Sequence, residues 1–295
     1  MSARLRGHRG VTLVELIVTI VLGGIVSLLA VQFIQPVRAY IDTSRRAALA
    51  DAADGALRRM GRDLRLALPN SVRVTDSGGV TYIEFLLVRT GGRYRAEPEA
   101  ATTTGCTNGS GTDPAEDTLS FSTADSCFKT LGSIPNLPAS NTDFVVVFNL
   151  APGSPAADAY AFPGTGGNKS QLSSITNAGA GVDRVNFGSH AYSYASPGSR
   201  FFIVEGPVTY ACDPVGGTLK RHAGYTISST QPTPPAGGGA LMASGVTGCS
   251  AFYQANVAAQ SAGMVTLQLQ LSTQDSAGDT ETVTLYHVVH VSNVP

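Results

Sequence analysis

Gly10-Val11-Thr12-Leu13-Val14-Glu15-Leu16-Ile17-Val18 opens an apolar run that continues to Ile34, and Glu15 is its only charge. As a helix, the roughly 24 residues from Val11 to Ile34 extend about 36 Å, enough to cross a bilayer. Arg4, Arg6 and Arg9 precede the run, so the positive-inside rule keeps that end cytoplasmic and sends the rest of the chain across. A carboxylate this far into a membrane segment is costly and asks for a partner. An ordinary secretory signal has an apolar core of about 7–15 residues and a small-x-small cleavage site, whereas this run is longer, contains an acid and offers only Leu28-Leu29-Ala30. A plain signal anchor accounts for length and orientation but gives Glu15 no role.

The combination of basic leader, glycine, acid and span resembles the class III signal of type IV pilins and type II secretion pseudopilins. That resemblance implies a prepilin peptidase that cuts after Gly10 and methylates the new N-terminus at Val11. Glu15 then becomes the fifth mature residue and acts in subunit assembly. One departure is Val11 itself, where the family usually has Phe. Gly23, Gly24 and Pro36 resemble the family's glycine and proline positions, which mark a helix segment able to extend in a filament. By composition alone, the glycine pair weakens a helix and Pro36 should kink or loosen it. Ordinary tolerance of Gly and Pro in membrane helices accounts for them too.

After the span the periodicity stays helical. Ala48, Ala52, Ala56, Met60, Leu64 and Leu68 recur at i+4 steps, with Leu49, Ala53 and Leu57 alongside. Asp54 and Arg58 form a favourable i,i+4 pair, and Pro69-Asn70 supplies a stop. Seven arginines (38, 45, 46, 58, 59, 62 and 65) lie on this segment. Four aspartates interrupt them and no aromatics interleave, so they read as a solvated or subunit-facing surface rather than a nucleic-acid stripe.

Beyond Asn70 the pattern turns to strands: Val80–Val88, Phe144–Phe148, Arg200–Val204, Val208–Tyr210, Met264–Leu271 and Thr282–Val289. Val265, Leu267, Leu269 and Leu271 alternate with polar residues, which puts one face inside and one in water. The predicted architecture is α+β, a long N-terminal pilin helix packed on an antiparallel sheet domain. Its segments are a leader at 1–10, a transmembrane stem at 11–36, an amphipathic half at 37–69 and a β-rich periplasmic domain at 70–295. Stretches 102–117 and 230–239 read as loops.

Composition supports this and narrows the chemistry. Charged residues are 14% of the 295, Gly numbers 33, Pro 16 and Trp 0, which favours turns and strands over a helical bundle. Removing Arg4, Arg6 and Arg9 from the 20 basic residues leaves 17 against 21 acidic ones, a net charge of −4, so specific nucleic-acid binding is not expected. Cys106, Cys127, Cys212 and Cys249 show no CxxC or Cys/His zinc pattern and fall on the oxidising side of the membrane. Three disulfide connectivities are open, and proximity favours Cys106–Cys127 with Cys212–Cys249. His287 and His290 are three apart in a predicted strand, hence on opposite faces and unable to share a metal. Asp275-Ser276-Ala277-Gly278-Asp279 offers oxygens for calcium but reads first as a hairpin turn. No GxSxG, HExxH, Walker A or strand-linked GxGxxG is present, and neither enzyme activity nor a cofactor is expected.

Further stretches (Ala53–Arg73, Val208–Asp213, Gly217–Arg221 and Tyr286–Pro295) are similar to minor pilins of mannose-sensitive haemagglutinin (MSHA) pili. This implies a low-abundance subunit in filament initiation, priming or tip assembly. Its expected partners are other major and minor pilins and the inner-membrane assembly platform. Its expected location is the inner membrane, single-pass, and then the pilus on the cell surface. A J-type pseudopilin of type II secretion is the alternative within the family; a membrane-anchored periplasmic enzyme or glycan-binding module is the alternative outside it.

Overall fold

A computed structural model describes residues 10–97, 118–135, 142–179, 181–255, 262–274 and 278–295, with backbone only for 33–39. One helix, α1 (Leu13–Arg65), runs for 53 residues, about 80 Å, continuous through Gly23, Gly24 and Pro36. Its first part, Leu13–Gln32, is long and apolar enough to cross a membrane, and none of it is buried against the rest of the protein. The helix stops at Arg65, earlier than the boundary expected at 69. The main chain of Leu66 and Leu68 is taken by the sheet instead: Val88 N–H donates to Leu66 O at 2.8 Å and Leu68 N–H to Leu86 O at 2.8 Å.

Among the described residues twelve strands follow, all paired antiparallel. The larger sheet is built on β1 (Arg73–Ser77), β2 (Val80–Arg93), β3 (Asp125–Lys129), β4 (Phe144–Val146), β5 (Lys169–Gly179), β6 (Val182–His190) and β7 (Arg200–Asp213), in the order β1-β2-β7-β4-β5-β6-β3. The remaining two, β8 (Thr218–Ala223) and β9 (Ala240–Ser244), extend it from the far half of β7. A second sheet is β10 (Val246–Ala255), β11 (Ala262–Gln274) and β12 (Thr280–Ser292), in chain order.

The two strands expected at Arg200–Val204 and Val208–Tyr210 are halves of β7. One edge of β7 pairs with β2 throughout; the other pairs with β4 over Phe202–Val204 and with β8 over Val208–Asp213. The change of partner falls at Gly206-Pro207, where proline has no N–H to give a ladder.

The upper half of α1 lies against both sheets. Ala53, Leu57, Met60 and Leu64 share one face and pack with Val265, Leu267, Leu269 and Leu271 of β11, Val289 of β12, and Tyr210 and Leu219 of the larger sheet. Those four β11 residues are buried as their alternation predicts. Gly61 lets the helix approach β12 closely, since a Cβ there would stand 2.7 Å from His287 Nε2. A second core of Phe128, Phe187, Tyr192 and Phe201 fills the distal part between β3–β6 and β7.

Candidate functional site

The N-terminal end of α1 is built by its own sequence. Thr12 is the helix cap, extended at φ −75° and ψ 152°, and its Oγ1 accepts from the Glu15 N–H at 3.3 Å. Thr12-x-x-Glu15 is the spacing of a capping box, and the position places the carboxylate beside the positive end of the helix dipole. The sequence signals this local reason for Glu15 as a T-x-x-E pattern from Thr12 to Glu15. Glu15 and the apolar residues after it are exposed, Leu28 at 72%, so a greasy rod with one acid at its tip projects from the head. Residues 5–31, covering the end of the leader, Gly10, Val11, Glu15 and most of the rod, match a family model. The chain carries a prokaryotic N-terminal methylation motif. No curated protein and no solved structure matches the chain. The methylation motif is a type IV pilin-like signal, and with the apolar helix it suits a membrane-anchored, single-pass protein.

The rod bearing the methylation motif is held to the head by polar clamps as well as by apolar packing. Tyr210 Oη and Arg221 Nε both donate to Asp63 Oδ2 at 2.8 Å, tying the last turns of α1 to β7 and β8. Burial, and then the Asp63 carboxylate, push the Tyr210 phenol far above its ordinary value, so it stays a donor. Nearer the span, Arg46 reaches Glu281 at 3.6 Å, and Arg45 Nη1 donates to Gln274 O at 3.4 Å. Beyond the helix, Asn70 Nδ2 donates to Asn149 O at 2.9 Å and to Asn293 O at 3.1 Å.

The expected Asp54–Arg58 pair forms at 2.5 Å. Arg58, Arg62 and Arg65 line a groove of about 430 Å³ with Asp54 and with His287 of β12. His287 lies on the helix side of β12 and His290 on the outer side, so they do not come together. Among the described residues no group of three His, Cys, Asp or Glu is placed to hold a metal. Asp275 to Ala277 of the suggested calcium turn lie outside the described residues.

Cys212 and Cys249 are bonded, with Cα atoms 6.4 Å apart, and join β7 of one sheet to β10 of the other. Cys127 is also disulfide-bonded, and Cys106 lies outside the described residues. Glu84 and Lys169 are among the buried charged residues that no local sequence pattern announces. Glu84, fully buried, takes Arg73 Nε at 3.0 Å and Nη2 at 2.5 Å on Oε1, and the hydroxyls of Tyr225 at 3.1 Å and Thr209 at 3.3 Å on Oε2. Lys169, also fully buried, donates to Ala159 O at 2.6 Å and to Phe162 O, and burial lowers its ammonium to about 8.

Proposed function

We propose that this protein is a non-enzymatic minor pilin, resembling MshO of MSHA pili, which acts in assembly or initiation of a type IV filament. A prepilin peptidase removes residues 1–10 and methylates Val11, the stem stays in the inner membrane with the β domain in the periplasm, and the subunit is then drawn into a filament. The observation that supports this most is the methylation motif over residues 5–31 leading directly into an exposed apolar rod that is continuous with the head. In the packed apolar core of a filament Glu15 would face a penalty of several kcal/mol without a charge partner. The amine freed at Val11 is that partner, from the same chain or from a neighbour.

Glu15→Leu in the native host, without the wild-type copy, tests this. The expected result is normal cleavage, insertion and head folding with loss from the filament fraction. Normal mutant content in normal filaments would remove Glu15 from assembly.

A further inference from the structure

β12 is an edge strand of 13 residues, paired to β11 on one side and to no other described strand. Its sequence, Thr-Glu-Thr-Val-Thr-Leu-Tyr-His-Val-Val-His-Val-Ser, has no proline and no lysine, and Glu281 is its only fully charged residue. Natural edges of this length normally carry such blocking residues, because a row of open N–H and C=O groups is a template for another strand. β12 also advances in the same direction as α1. Arg46 meets Glu281 near the span, Gly61 lies under His287, and Asn70 meets Asn293 at the far end. A strand laid on this edge therefore runs along the stem axis.

The two flanks of the edge differ in chemistry. On the helix side lies the groove of Arg58, Arg62, Arg65 and His287, whose single carboxylate, Asp54, is engaged by Arg58. Arg62 and Arg65 are exposed and have no ion-pair partner among the described residues. Their place in the last helical turn suits the dipole but leaves the charges facing water. On the outer side Tyr286 and Val288 are 68% and 47% exposed, and Phe252, 64% exposed, lies in the same cross-strand row as Val288 through Thr266.

Resting on the filament-subunit reading above, we propose that the open edge of β12 accepts a strand from a neighbouring subunit. The incoming strand alternates acidic residues toward Arg62 and Arg65 with apolar or β-branched residues beside Tyr286 and Val288. Main-chain pairing supplies the attachment, and the alternation, forced by the two-residue period of a strand, supplies the selectivity.

The test uses the full chain in its native host with a photoreactive phenylalanine analogue at Tyr286, at Arg62, or at Val18 in the stem. Crosslinked segments are identified by mass spectrometry. The expected result is one extended segment from another chain captured at both head positions, with Asp or Glu at alternate residues. Arg62→Glu with Arg65→Glu should cut the Tyr286 crosslink by roughly tenfold or more while leaving Val18 crosslinks in place, and the double Lys variant should retain it. Val18 crosslinks without a Tyr286 crosslink would overturn this inference and leave the filament reading intact. Capture of a segment without alternating acids, or insensitivity to charge reversal, would overturn it as well. Loss of crosslinks at Val18 and at the head together would contradict both.

Discussion

Arg73→Met should destabilise the head by about 3–5 kcal/mol at neutral pH, because it strands a buried carboxylate. Arg73 and Glu84 are directly opposed in the β1–β2 hairpin, and their side chains are 12% and 0% exposed. Arg73 also donates to the Ser228 and Ser229 carbonyls at 2.9 and 2.8 Å and lies 3.8 Å from the Tyr160 ring centre, so it fastens the 225–231 loop to the sheet. Without it Glu84 keeps two hydroxyl donors and no countercharge. Burial already holds the Glu84 carboxyl above its ordinary value, with Arg73 the main opposing pull. Deleting Arg73 leaves burial opposed only by the Tyr225 and Thr209 hydroxyls and raises it further. The folded variant then binds a proton that the unfolded chain releases. Its stability is retained below the unfolded carboxyl value and lost as pH climbs through the folded one. The deficit against wild type should therefore be largest near about pH 8 and shrink toward about pH 5. Adding Glu84→Gln to Arg73→Met should recover much of it. Urea denaturation of the full chain in detergent, followed by near-ultraviolet circular dichroism of its tyrosines, measures this. An equal deficit at both pH values, with no recovery in the double variant, would mean that a stranded Glu84 carboxylate is not the source of the loss.

Two smaller predictions concern the joint between helix and head. Asp63→Ala removes the acceptor shared by Tyr210 and Arg221 and should cost about 2–3 kcal/mol, read by the same denaturation assay and by faster amide exchange in the last turns of α1. Gly61→Ala places a methyl 2.7 Å from His287 Nε2 and should cost about 1–3 kcal/mol, with His287→Ala in the same chain restoring most of the loss.

The sequence made some of this legible for clear physical reasons. A long apolar run and i+4 spacing specify α1, and strict alternation specifies β11, because each pattern has one structural period that can bury it. β5 and β6 carry no such sequence pattern. Lys169–Gly179 is rich in Ser, Thr and Asn and buries little, so its strand character comes from pairing with β6 rather than from its own pattern. β10 is half Gly, Ala, Ser and Thr and is fixed by β11 and by the Cys249 bond. The β1–β2 hairpin did have a signal, Gly78-Gly79 at φ 60° and 81°, the positive values that a tight two-residue turn requires.

At the candidate site the outcome divides in the same way. Gly10, Val11 and Glu15 fall within one six-residue stretch and are readable as one motif. Asp63 and Arg221 are 158 residues apart, and no local pattern announces such a pair. The arginines at 58, 62 and 65 were visible, but the groove they form depends on β12 arriving from the far end of the chain.

Residues 5–31 are read here as a processing and methylation signal on a stem that then assembles. The most direct measurement is mass spectrometry of the N-terminal peptide from protein purified from a host with the peptidase. The expected product is a chain beginning at Val11 and carrying one methyl group on its amine. A chain beginning near Val31, or one that retains residues 1–10 in an otherwise peptidase-competent host, would contradict it.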